Sequence, residues 1–200
     1  MSEQLIIFLK APRPGQVKTR LAQSIGAEAA CAAYRQIAER VLNQVGSLEK
    51  VELRFTPDDA EREIAPWLRP GWESAPQGPG DLGQRLERAF ADHFSRDAER
   101  VVVIGSDCPA ITSNDIQSAW TALKSHDLAL GPAHDGGYWL IGLRQPHPFL
   151  FRGLAWSTNS VLNETLSRAT EAGLNINVLR QLSDIDTLPD WQKVAAKFQT

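Results

Sequence analysis

The chain opens on an apolar run that does not alternate, Leu5-Ile-Ile-Phe-Leu9, and a second such run stands mid-chain, Val101-Val-Val-Ile104. Runs without a polar face predict short strands buried on both sides, as in a parallel sheet. Val51-Glu-Leu-Arg-Phe55 alternates instead, which predicts a strand with one face toward solvent. Leu128-Ala-Leu130, the segment 138–143 and the segment 176–179 complete the predicted strands, and Trp72 to Gly80 reads as loop. Elsewhere the spacing is helical. Tyr34, Ile37, Ala38, Val41 and Val45 share one face, as do Leu82, Leu86, Ala89, Phe90 and Phe94. Thr112-Ser-Asn-Asp115 resembles a capping box for a helix packing through Ile116, Trp120 and Leu123. Further helices are predicted from Thr19 to Gly26, from Pro57 to about Pro66, from Ser157-Thr158 onward, and from Thr187 with Trp191, Val194, Ala195 and Phe198 facing inward. Strands and helices in turn predict an α/β fold, a three-layer sandwich around a mostly parallel mixed sheet. Residues 1–200 suit a single domain, with no internal repeat or linker.

Composition narrows the partners. A formal net charge of -3 and an ordinary charged fraction of 22% argue against a nucleic-acid surface. No apolar run is long enough to span a bilayer, and the N-terminus lacks the pattern of a signal peptide. Cys31 and Cys108 have no metal-type spacing and fit reduced thiols in a cytoplasmic protein, Cys108 as a small filler near a sheet edge.

Candidate chemistry collects in the loops. Val101–Ile104 delivers Asp107 to the C-terminal end of a central strand, the edge where open α/β sheets bind ligands, although Asp107 could equally shape the turn. Lys10, Arg13, Lys18 and Arg20 surround Pro14-Gly15 at a strand-to-helix junction, a cationic setting suited to phosphates. It is not a Walker A loop, because the earlier glycine is missing and Lys18 does not follow Gly15 directly. Gly78-Pro-Gly-Asp-Leu-Gly83 matches a dinucleotide fingerprint by letter only, since no buried strand precedes it. Its glycines still allow close approach of a ligand, with Gln77, Asp81 and Arg85 as polar contacts, or Asp81 as a helix N-cap. Near the end, Asp184 and Asp186 are one residue apart and would point the same way in an extended segment, toward Asp107 or toward the cap of the last helix. Two carboxylates ~4 Å apart repel by about 4 kcal/mol at an effective dielectric near 20, which favours a cation between them. Mg2+ or Mn2+, hard ions that take oxygen ligands, fit that role. His134-Asp-Gly-Gly137 reads as a glycine turn with polar side chains, and Trp156 as either core or ligand cover.

Taken together, six ordered segments resemble one family: 10–22, 81–85, 105–109, 131–138, 156–158 and 184–187. They resemble the bacterial GT-A-like transferases described as glycosyltransferases, some associated with arsenosugar biosynthesis or with radical-SAM/selenodomain proteins. The family is similar to the guanylyltransferases that activate phospholactate and to molybdenum-cofactor nucleotidyltransferases. The resemblance implies a Rossmann-like nucleotide-diphospho-sugar transferase fold with nucleotide over the first half of the sheet. It places the phosphate role on Gly15, Lys18 and Arg20, with Lys10, Gln77, Asp81 and Arg85 also toward the nucleotide. The metal role falls on Asp107 with Asp184 or Asp186. His134, Asp135, Gly136, Gly137, Tyr138 and Trp156 would face the sugar or acceptor. One departure stands out: sugar transferases of this fold carry Asp-x-Asp, whereas Asp107-Cys-Pro109 offers one carboxylate, as nucleotidyltransferases do.

The expected activity is metal-dependent transfer from a nucleotide or nucleotide-sugar to a small-molecule acceptor. Lys18, Arg20 and Asp107 would act on the leaving phosphate, and Asp135 or His134 would serve as base. Glycosyl transfer stands first, with nucleotidylyl transfer from an NTP and a non-catalytic nucleotide or sugar sensor as alternatives. The base, the sugar, the acceptor and the oligomeric state are not legible in the residues.

Overall fold

The computed structural model describes residues 2–196, and among them a seven-stranded sheet carries the fold. The strands are β1 (Glu3–Lys10), β2 (Val51–Thr56), β3 (Glu73–Pro76), β4 (Arg100–Gly105), β5 (Leu128–Pro132), β6 (Tyr138–Leu143) and β7 (Ile176–Val178). The helices are α1 (Thr19–Ile25), α2 (Ala27–Gln44), α3 (Glu61–Ile64), α4 (Leu82–Phe94), α5 (Ser113–Ala122), α6 (Val161–Glu171) and α7 (Leu188–Ala195). Spatial order is β3-β2-β1-β4-β6-β5-β7, and every neighbouring pair is parallel except those made by β6. This is the mostly parallel mixed sheet that the alternation of elements predicts.

The unalternating runs lie in the middle because both of their faces are covered. Leu5, Ile7 and Leu9 of β1 pack with Val41, Leu42 and Val45 of α2, while Val102 and Ile104 of β4 join Ile116 and Trp120 of α5 on the same face. Ile6, Val101 and Val103 point the other way, into Leu86 and Phe90 of α4 and Ala169 of α6. Burying one such aliphatic side chain stabilises by about 1.5–3 kcal/mol, so these two strands anchor all three layers. Asp81 and Thr112 start α4 and α5 with complete capping boxes, to Gln84 and Asp115.

Several expectations change. β2 does not turn a face to solvent: Glu52 and Arg54 are each only 2% exposed. The alternation there separates an apolar face from an ionic one. Arg54 pairs with Glu52 and reaches Asp92 at 2.5 Å, and His93 Nε2 lies 3.2 Å from the second Glu52 oxygen. The segment taken for loop contains β3, which pairs with β2 at the sheet edge. An edge strand tolerates the polar Glu73 and Ser74, and Pro76 is acceptable at its end. Leu82 is 42% exposed rather than in the inner stripe of α4, whose buried residues are Gly83, Leu86, Ala89, Phe90 and His93. The helix after Pro57 begins only at Glu61, and α6 begins at Val161 with Ser160 as cap rather than at Ser157-Thr158. Phe198, read as an inward position of the last helix, lies outside the described residues.

Candidate active site

The chain leaves β1 toward β2 on one side, whereas β4 lies on the other, so the sheet reverses its direction of growth between β1 and β4. A crevice forms beyond the carboxyl ends of strands at such a point. A cleft of about 870 Å³ opens there, lined by residues from the loops after β1 and β4 and by the start of β6. Tyr34 of α2 ties the two strand ends together. Its hydroxyl accepts from the Lys10 N–H at 2.8 Å, lies 3.0 Å from the Lys10 carbonyl and 3.2 Å from the Ser106 hydroxyl. Asp107 follows Ser106 and projects into the cleft.

Lys18 comes from the first loop. Its backbone is left-handed (φ 47°, ψ 46°), uncommon for a residue with a side chain. The ammonium is 2.6 Å from Asp107 Oδ1 and 3.0 Å from Asp186 Oδ1, and the side chain is only 3% exposed. Burial pulls its pKa down, but Asp107 and Asp186 more than offset that, and Lys18 is held charged above its ordinary value. Arg20 is largely exposed and stands 3.7 Å from Asp186 Oδ2.

The C-terminal segment reaches the cleft because α7 docks on α1 and α2: Leu188 and Trp191 pack on Leu21, Ala30 and Ala33. The Ile185 N–H then donates to the Asp107 carbonyl at 3.1 Å, which registers Asp184 and Asp186 beside it. Their partners differ. Asp186 meets Lys18, while Asp184 accepts from the Cys108 thiol at 2.6 Å. Burial, opposed by that thiol and reinforced by the charges of Asp107, Asp135 and Asp186, pushes the Asp184 carboxyl up to about 6. The Cys108 thiol is itself pushed up, by burial first and Asp184 next, so it is no thiolate nucleophile at neutral pH.

The remaining residues divide. Lys10, Gln77, Asp81, Arg85, Asp135, Gly137, Tyr138 and Trp156 all line the same cleft. Gln77 is buried and fully used: its amide donates to the Leu9 and Arg54 carbonyls and accepts from Arg85. Asp81 is the N-cap of α4. Asp135 Oδ1 accepts from the Gly137 N–H at 2.9 Å, shaping its own turn. Trp156 meets Tyr138 edge to face at 6.4 Å and presses on Gly83, where an added Cβ would lie 2.6 Å from its indole nitrogen. Gly15, His134 and Gly136 are not on the cleft wall. Gly15 sits on an exposed turn, and His134 is exposed while its N–H pairs with the Leu182 carbonyl. Gly136 (φ +92°) lets the turn touch the Asn159 backbone, where a Cβ would lie 2.3 Å from the carbonyl oxygen.

Two positioning residues escaped the sequence. Tyr34 reads there as one more position on a helix face, and Ser106 only as part of the segment 105–109. Only the paired polar atoms across 72 residues show what they do.

The donor set suits a hard divalent ion. Asp107 and Asp186 share one positive charge, the Lys18 ammonium, through one oxygen each, and both residues line the cleft. Among the described residues no group of three or more His, Cys, Asp and Glu side chains is gathered to hold a metal by itself. One or two carboxylates completed by water and substrate phosphate is the usual arrangement for magnesium. Also among the described residues, no helix is long and apolar enough to cross a membrane.

Comparison with known proteins agrees with this architecture. Residues 38–158 match the family described as "Uncharacterized protein conserved in bacteria (DUF2064)". A crystal structure from Desulfovibrio desulfuricans G20, assigned as a nucleotide-diphospho-sugar transferase, is similar at 34% identity and a TM-score of 0.90, over 98% of this chain and 87% of that one. CMP:2-keto-3-deoxy-manno-octonic acid synthetase in complex with CTP shares the fold at 13% identity and a TM-score of 0.61, over 100% and 99% of the two chains. Rv0371C from Mycobacterium tuberculosis H37Rv, in complex with manganese, does so at 14% identity and a TM-score of 0.54, over 97% and 98%. No curated protein matches the chain in sequence.

Proposed function

The chain belongs to the bacterial DUF2064 family, and from that premise we propose that it is a metal-dependent transferase moving a glycosyl group from a nucleoside-diphosphate sugar to a small acceptor. One observation carries the reading: Lys18 and Arg20, Asp107, and Asp186, from three distant parts of the chain, converge in one cleft at the reversal point of the sheet. The relative sharing 34% of its residues, assigned as a nucleotide-diphospho-sugar transferase, supports the same donor class.

Lys18 and Arg20 stabilise the negative charge that grows on the leaving diphosphate. Asp107 and Asp186 would hold Mg2+ or Mn2+, with Asp184 lining the same cleft. When bound, the ion supplies Lewis-acid neutralisation of the same phosphate oxygens. Lys10, Arg85 and Asp81 border the nucleotide end of the cleft, where Gln77 holds the strand ends and Arg85 in place. Asp135, Gly137, Tyr138 and Trp156 border the acceptor end, and the exposed oxygen of Asp135 takes the proton of the attacking hydroxyl. The setting is cytoplasmic, one in which Cys31 and Cys108 stay reduced.

A second reading, nucleotidylyl transfer from an NTP with release of pyrophosphate, is favoured by the lone carboxylate in Asp107-Cys-Pro109. Products separate the two: a panel of NDP-sugars and NTPs with Mg2+ or Mn2+ yields free NDP in the first case and pyrophosphate in the second. Asp107→Ala should lower turnover by at least about hundredfold, roughly what loss of one preorganised charge-stabilising group costs. Saturable nucleotide binding with no product under any metal or acceptor would mean a sensor instead.

A further inference from the structure

The position between Asp107 and Asp186 is already taken. Lys18 Nζ lies 2.6 Å from one carboxylate and 3.0 Å from the other, on a side chain only 3% exposed, while Asp107 and Asp186 are 46% and 38% exposed. A lysine serving phosphate alone would extend its ammonium into the open cleft; this one is folded beneath the two acids. Its backbone is left-handed at the cap of α1. Arg20 stands 3.7 Å from the second Asp186 oxygen, so that acid is approached by two cations.

We infer that the Lys18 ammonium is an internal stand-in for the divalent ion, which keeps free metal off Asp107 and Asp186 until a metal-bound diphosphate arrives and draws the ammonium onto itself. The inference rests on the metal-dependent reading above. Its physical basis is that an ammonium and a divalent ion repel strongly at contact distance, so both cannot sit on the same two oxygens. The diphosphate supplies the alternative anion that lets Lys18 leave. Metal and donor then bind with reciprocal positive coupling, and metal alone is not sequestered. Lys18 thus positions the metal by exclusion, in addition to contacting phosphate.

Mn2+ binding followed by the electron paramagnetic resonance of the free ion tests this without turnover, using inorganic pyrophosphate as the diphosphate probe. Wild-type protein should bind Mn2+ weakly alone and at least about tenfold more tightly with pyrophosphate, beyond the known association of the two in solution. Lys18→Gln should bind Mn2+ alone at least about tenfold more tightly than wild type, a change of about 1.4 kcal/mol. Adding Asp107→Asn to that variant should abolish the gain, and Lys18→Arg, which keeps the charge, should resemble wild type. Equal or weaker Mn2+ affinity in folded Lys18→Gln, with ternary binding intact in wild type, overturns the inference and leaves the metal-dependent reading standing. Absence of Mn2+ binding in every protein, with or without pyrophosphate, overturns both. Should Lys18→Gln fail to fold, the wild-type comparison decides: no gain with pyrophosphate overturns the inference.

Discussion

Tyr34→Phe isolates the staple that holds the cleft together. The substitution removes a single oxygen from a side chain that is 2% exposed and leaves the ring, which meets Trp67 edge to face at 6.5 Å. That oxygen accepts from the Lys10 N–H at 2.8 Å, donates to the Lys10 carbonyl at 3.0 Å and lies 3.2 Å from the Ser106 hydroxyl. Phenylalanine orphans the N–H and takes a partner from the buried Ser106. An unsatisfied buried donor costs about 1–3 kcal/mol, and the second loss places the expectation near 2 kcal/mol. For a chain of this size that lowers Tm by roughly 4–8 °C. Urea unfolding should show a lower midpoint with an unchanged slope, since the area exposed does not change. Because Ser106 precedes Asp107, the same variant should weaken donor binding more than a remote substitution of equal stability cost. A midpoint shift worth under about 0.5 kcal/mol would refute the reasoning, and would mean that the strand ends are held by packing alone.

Other perturbations address the buried ions. Arg54→Met leaves the 2%-exposed Glu52 with His93 alone and should cost about 3–5 kcal/mol by denaturant unfolding; Glu52→Gln in the same chain should recover much of it, and no recovery would point to lost packing instead. Asp115 is pushed up by burial, but the hydrogen bonds from Arg180 and Thr112 outweigh this and hold its carboxyl below the ordinary 3.8. A depressed folded pKa contributes stability that is present above the unfolded value and lost as pH falls through the folded one. The stability gap between wild type and Asp115→Asn should therefore be flat from pH 8 to 5 and shrink below about pH 4, near the ordinary value; a gap that widens on acidification would contradict this sign.

Sequence alone determined the layers and every strand but β3, because hydrophobic spacing is a local record of what will be covered. Leu5–Leu9 and Val101–Ile104 could only be central strands, and Asp107 could only follow one of them. The cap at Asp81 and the box at Thr112 are equally local, each spanning four residues. Where alternation was ambiguous, tertiary structure decided. Glu52 and Arg54 look like a solvent face until α4 places Asp92 and His93 over them. A polar edge such as Glu73–Pro76 becomes strand only because β2 offers it a ladder. The different partners of Asp184 and Asp186 rest on the docking of α7 against α1, which sends one acid to Cys108 and the other to Lys18. Periodicity records burial along one segment; a pairing between charges some 170 residues apart exists only once the chain between them has folded.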